Sequence, residues 1–156
     1  MKKLGVLLST VGLAGASLVA VAPGAQAAPD ASCSGAKVIS STPIFRFRRP
    51  PGFGDVRLMR DACSQYWAVV VMDERLPAYA RTNAFLFQYG GSNAGRQYSC
   101  DSPGGTNMVV AGQRTCRTPK IKSTDGRVTF AGKAIEYHNY GGGFQPISEN
   151  QTGRTR

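Results

Sequence analysis

The chain has 156 residues, with 19 Lys and Arg against 9 Asp and Glu, for a formal net charge of +10. With 42% hydrophobic and 18% charged residues, it has the composition of a globular protein, not of a disordered or multi-span membrane chain. The basic excess attracts polyanions, although a positive surface also serves plain solubility, and net charge by itself favours that plainer reading.

Met1-Lys2-Lys3 forms a short positive region, and Leu4 to Ala22 is an apolar run. Ala25-Gln26-Ala27 then offers small residues at the −3 and −1 positions of a signal-peptidase cut. We expect residues 1–27 to be a signal peptide, which makes the protein secreted, with no transmembrane segment after cleavage. An uncleaved anchor is disfavoured by the interleaved Gly, Ser and Thr and by the lack of a basic stop-transfer cluster. A lipoprotein is disfavoured because Asp30-Ala31-Ser32, with no apolar residue three before the cysteine, precedes Cys33. Cleavage leaves 129 residues at a formal charge of +8, enough for one domain with a real core and expected as a monomer.

Cys33, Cys63, Cys100 and Cys116 make an even set, which in an oxidising compartment implies two disulfides with three possible pairings. Asp101-Ser102-Pro103-Gly104-Gly105 is a strong turn cluster that lets Cys100 and Cys116 meet, leaving Cys33 for Cys63. Cys63, close to Trp67 and the most apolar strand, is expected to be the more damaging cysteine to lose. A metal site finds little support, since the chain has no CxxC and a single histidine, His138. No cofactor is implied.

The strands follow in chain order. Lys37 to Ser40 and Thr42 to Arg48 are the first candidates, the latter placing Phe45 and Phe47 on one face and Arg46 and Arg48 on the other. Pro50-Pro51-Gly52 makes a turn, after which Val56, Leu58 and Arg60 alternate with Arg57 and Met59. Gln65 to Met72 reads as a central strand buried on both faces. Ala84 to Tyr89, Arg96 to Cys100, Asn107 to Ala111 and Arg127 to Tyr137 complete the set. Only Leu76 to Asn83 has room for a turn or two of helix. The fold class is therefore all-β, a single small β-sandwich or barrel stapled by two disulfides, spanning residues 28–146. Residues 147–156, poor in core candidates, are expected to form a flexible tail.

The chemistry-bearing residues are sparse. Gly91-Ser92-Asn93-Ala94-Gly95 fails the spacing of a nucleophile elbow, and no two carboxylates are marked as a glycosidase pair. Alternation puts Glu136 and His138 on one face, the best acid–base candidate present, although His138 reads first as a surface or edge residue. No catalytic residue is assigned, and an enzyme is the weaker reading. A binding role fits better. Arg46, Arg48, Arg57 and Arg60 would make one basic strip if their two segments pair, offering planar forks to an anionic cell-wall polymer or another polyanion. Tyr66, Tyr79, Tyr89, Tyr98, Tyr137, Tyr140 and Phe144 offer stacking surface, although burial preference assigns most of them to the core.

Four segments carry a family resemblance: Cys33-Ser34-Gly35, then Asp61-Ala62-Cys63-Ser64-Gln65-Tyr66-Trp67-Ala68, then Leu76-Pro77-Ala78-Tyr79-Ala80-Arg81, and Tyr98-Ser99-Cys100. Together they resemble the YjfA-like family of small secreted actinobacterial proteins of unknown function. The resemblance covers Cys33 to Cys100 and implies a small β domain with no known active site. The secreted subtilisin inhibitors are similar in size and cysteine count, but their motifs are absent around every cysteine. The sequence thus describes a secreted, non-enzymatic protein of the cell envelope or extracellular space. The alternatives are a protease or enzyme inhibitor presenting the Cys100–Cys116 loop, and a small secreted hydrolase.

Overall fold

Period-two alternation organises nearly the whole chain. The computed structural model describes residues 33–46 and 51–156, so the expected signal peptide lies outside the described residues. Among the described residues there are nine strands and no α-helix: β1 (Lys37–Pro43), β2 (Gly54–Arg60), β3 (Gln65–Met72), β4 (Ala80–Tyr89), β5 (Gln97–Ser99), β6 (Thr115–Arg117), β7 (Ile121–Lys122), β8 (Thr129–Asn139) and β9 (Phe144–Gln151). The first sheet runs β1-β2-β3-β6, with β7 also pairing β3, and the second runs β5-β4-β8-β9. Every pairing is antiparallel.

The two sheets face each other as a sandwich, because each carries its apolar residues on one side. Val56 and Leu58 of β2 and Tyr66, Ala68, Val70 and Met72 of β3 meet Ala84 and Leu86 of β4 and Phe130 and Ala134 of β8. Tyr66 stacks on Phe130 across the gap, with ring centroids 4.3 Å apart. At Gly132 a Cβ would come into van der Waals contact with the opposite sheet, 3.4 Å from the Ala68 Cβ and 3.5 Å from Val56, so the layers are closely packed there.

The disulfides are Cys33–Cys63 and Cys100–Cys116, the expected pairing. Their settings differ from expectation. Cys100 and Cys116 are buried and tie the end of β5 in one sheet to β6 in the other. Cys33 and Cys63 are only half-buried. Trp67 shares the outer parity of β3 with the half-buried Val69 and Val71 and is covered by the Lys120 ammonium, 4.4 Å from its ring. The strand is therefore fully buried on its inner face alone.

Other segments depart from the sequence reading. The two strands expected at Lys37 to Ser40 and Thr42 to Arg48 are replaced, in the described residues, by the single β1 that ends at Pro43, and the short β6 and β7 have no counterpart in that reading. Leu76 to Asn83 forms no helix, because β4 begins at Ala80 and extends four residues before the expected start. Asn107 to Ala111 contributes only an isolated bridge between Val109 and Thr82, since Asn107 adopts φ 61° and breaks a continuous ladder. Residues 147–156 form no loose tail. Most of β9 lies there, Thr152 exchanges hydrogen bonds with Gly132, and Thr155 bridges Phe130. Backbone pairing holds this edge strand, which is why core-forming side chains gave no sign of it.

The β2–β3 turn is built on Asp61. Its Oδ1 accepts the amides of Cys63 (3.1 Å) and Gln65 (3.0 Å), and its Oδ2 takes the Lys120 ammonium at 3.0 Å. Burial alone would raise its pKa, but the Gln65 amide, Lys120 and the Cys63 amide outweigh that and hold it below the usual carboxylate value. A folded pKa below the unfolded one stabilises the protein above the unfolded value, and that contribution is lost as pH falls through the folded one. Urea unfolding across an acid series should therefore show stability falling below about pH 4, with Asp61→Asn less stable at neutral pH and flatter in acid. Parallel acid limbs for the two proteins would assign the loss to other carboxylates.

Candidate functional site

The inner face of β8 changes character along its length. Phe130 and Ala134 are core residues, but the next two inward positions are Glu136, fully buried, and His138, 7% exposed. In register, Glu136 lies between Thr82 of β4 and Ser148 of β9, so a polar row crosses that end of the sheet. The hydroxyls of both neighbours are buried without a hydrogen-bond partner. An uncompensated carboxylate cannot remain buried in this way.

Compensation comes from the opposite sheet. Arg46, just beyond β1, donates from Nη2 to Glu136 Oε1 at 2.8 Å and from Nε to Oε1 and Oε2 at 3.1 and 3.3 Å. His138 Nε2 lies 2.9 Å from the same Oε1, and Tyr140 Oη lies 3.3 Å from His138 Nδ1. In the neutral imidazole this makes Nε2 the donor and Nδ1 the acceptor. Tyr79 meets the His138 ring edge-on at 5.1 Å, and the Arg46 guanidinium sits 4.1 Å from the centre of the Phe53 ring. Glu136 and His138 thus share a face as their alternation indicates, but His138 is interior, not a surface residue. A cleft of about 420 Å³ opens beside Arg46, with Phe53, Leu76 and Tyr79 among its walls and Asp73, Glu74 and Arg75 lining it as well.

Carboxylate, imidazole and phenol in series can hold and pass a proton. Among the described residues, however, no serine, threonine or cysteine hydrogen-bonds to His138, so the nucleophile of a serine-type triad is not at hand.

Of the four arginines read from the sequence as one strip, the three described ones are not brought together. Arg46 turns to Glu136. Arg57, on the outer parity of β2, pairs with Asp55 at 3.1 Å. Arg60, on the inner parity, donates to Ser64 Oγ at 3.0 Å and lies 5.4 Å from the Tyr66 ring centre. Arg48 lies outside the described residues. The strip required Arg57 and Arg60 on one face, whereas an odd spacing along a strand puts them on opposite faces.

A different basic surface is assembled on the outer face of the second sheet. There Arg81 lies 3.9 Å from the Phe144 ring centre, Lys133 4.8 Å from that of Phe87, and Arg154 3.7 Å from that of Tyr89. Lys133 also pairs with Glu149 at 2.6 Å. Among the described residues, Arg81 and Arg154 have no carboxylate partner. Tyr137 sits opposite Arg81 in the β4–β8 register; burial, then the nearby charges of Asp101 and Glu149, push its phenol pKa above the ordinary value. The cation–ring pairs lie along β4 between Arg81 and Tyr89, roughly 27 Å at 3.4 Å per residue. They are interrupted by Asn83 and Phe85 of the same parity, which are buried, Asn83 donating to Asp101 Oδ2 at 2.6 Å. Of the aromatic residues read from the sequence, Tyr89, Tyr137 and Phe144 belong here, Tyr66 and Tyr98 pack into or against the core, and Tyr79 and Tyr140 flank His138. Arg81, Phe87, Lys133 and Arg154 escaped the sequence reading because only the register of β4, β8 and β9 brings them together.

Among the described residues, no group of three or more His, Cys, Asp or Glu is placed to hold a metal ion. No helix among them is long and apolar enough to cross a membrane. No protein-family model matches the chain, and no solved structure matches it. The chain is similar to the uncharacterized protein YjfA of Bacillus subtilis (strain 168), with 29% identity over 102 residues, or 65% of this chain. The matched part covers 62% of that relative's length. This similarity supports the resemblance to YjfA-like proteins.

Proposed function

We propose that this is a secreted, non-enzymatic protein that binds an anionic polymer, using the outer face of the second sheet. The observation that carries this reading is the set of three cation–ring pairs, Arg81 with Phe144, Lys133 with Phe87 and Arg154 with Tyr89. The rings hold the guanidinium and ammonium groups above them in place, and those groups offer charge to phosphate or carboxylate. An open antiparallel sheet presents such groups in a row matched to an extended chain. The two disulfides suit an oxidising compartment, which is the support for secretion.

An inhibitor would need the loop between Cys100 and Cys116 to offer an extended segment. Residues 101–105 are instead consecutive turns, tied back by the Gly105 amide on the Ser102 carbonyl and the Asn107 amide on the Cys100 carbonyl. Polymer binding is therefore the better-supported role.

The test is retention of the protein on single-stranded DNA and on cell-wall anionic polymer across a salt series. For the DNA, each neutralised phosphate contributes about 0.7 to the slope of log affinity against log salt, so replacing Arg81, Lys133 and Arg154 by Gln should lower it by roughly 2. Replacing Arg57 and Arg60 by Gln should leave it close to the parent's. If the first variant keeps the full slope on both polymers, this face does not bind them.

A further inference from the structure

The cleft beside Arg46 carries an inference independent of the polymer-binding face. Arg46 is held in an unusual way. A fully buried carboxylate grips the Nε and Nη2 edge of its guanidinium, and Phe53 supports the plane of the group. Nη1 has no hydrogen-bond partner among the described residues, and the side chain remains 36% exposed. A guanidinium clamped on one edge and open on the other is pre-organised to receive a second carboxylate, because its orientation is fixed before the ligand arrives.

The arrangement is costly for a fold seeking only stability, since an apolar residue in place of Glu136 would fill the same interior without desolvating a charge. Polar residues at interior positions of an otherwise apolar face mark sites where local rules yield to function. Asp73, Glu74 and Arg75 line the same cleft and are exposed; Arg75 donates from Nη1 to the Gly112 carbonyl at 3.0 Å, so the two carboxylates are the groups that offer charge to a cationic ligand. Phe53, Leu76 and Tyr79 supply apolar wall. At about 420 Å³, the space falls within the range of small-molecule sites.

We infer that this cleft binds a small zwitterion, an α-amino acid with an apolar side chain. Its carboxylate would lie on the open edge of Arg46, its ammonium against Asp73 and Glu74, and its side chain on Phe53, Leu76 and Tyr79.

The experiment follows backbone amide shifts of the full chain, both disulfides formed, during titration with L-phenylalanine, N-acetyl-L-phenylalanine and L-phenylalanine amide. The zwitterion should bind saturably and shift residues around the cleft, while each singly charged analogue binds at least about tenfold more weakly. Asp73 and Glu74 are exposed, so Asp73→Asn with Glu74→Gln leaves the fold intact and should abolish the preference for the zwitterion over its N-acetyl form. Three results would overturn the inference: no saturable shift with phenylalanine, equal binding of zwitterion and N-acetyl analogue by the parent, or an unchanged preference in the double variant.

Discussion

Replacing Cys100 and Cys116 together by Ala should cost about 4 kcal/mol, and replacing Cys33 and Cys63 about 2 kcal/mol. Loop entropy alone predicts the reverse order. The bridges span 30 residues for Cys33–Cys63 and 16 for Cys100–Cys116. That difference favours the longer loop by only about 0.6 kcal/mol. Packing decides against it. Cys100 and Cys116 are 0% and 3% exposed and join the two sheets, so their loss opens a gap between the layers. Cys33 is half-buried at the start of the described chain, and its release frees a short segment before β1 without disturbing the layers. Urea unfolding of the two double variants measures both costs. A larger loss for the Cys33–Cys63 pair would mean that the segment before β1 helps to hold the sandwich together.

The second large effect concerns Arg46 and Glu136, and it is asymmetric. Removing Arg46 leaves a carboxylate with no exposed surface and only His138 Nε2 beside it, whereas removing the Glu136 charge leaves an arginine that is already 36% exposed and can turn toward water. Arg46→Ala should therefore cost about 3 kcal/mol and Glu136→Gln roughly 1 kcal/mol. Arg46→Ala combined with Glu136→Leu should return to within about 1 kcal/mol of the parent, because a buried ion pair replaced by apolar packing is often neutral. Equilibrium unfolding of the three variants gives the comparison. If the combined variant is as unstable as Arg46→Ala, the polar end is needed for the architecture itself.

What could be read from the chain was whatever repeats every second residue. Val56 and Leu58 announce a strand with one buried face, the run from Tyr66 to Met72 announces a strand although its composition suggested burial on both faces, and the cluster of turn residues after Cys100 announces the bridge to Cys116. The sites were hidden for a specific reason. Arg46 and Glu136 are 90 residues apart and meet across two sheets, and no local pattern encodes that approach. The stripe of Arg81, Lys133 and Arg154 depends on register, which alternation leaves open until pairing partners are known. β9 was missed because an edge strand can be held by its backbone while its side chains read as a polar tail.

The order of strands in the second sheet also has a kinetic meaning. β4 lies next to β8, so Leu86 finds its partner Gly132 only after the chain between them has been made, and β8 is in turn edged by β9. Pairings this distant along the chain are slow to form. A polypeptide emerging from its N-terminus can close the β1–β2–β3 meander early, but β4 alone can cover only part of its inner face, and the rest waits for Phe130 and Ala134 of β8. Its solubility during that interval depends on holding the exposed Val56, Leu58 and Val70 away from neighbouring chains. Like-charged chains repel one another, and the basic excess supplies that separation before any folded surface exists.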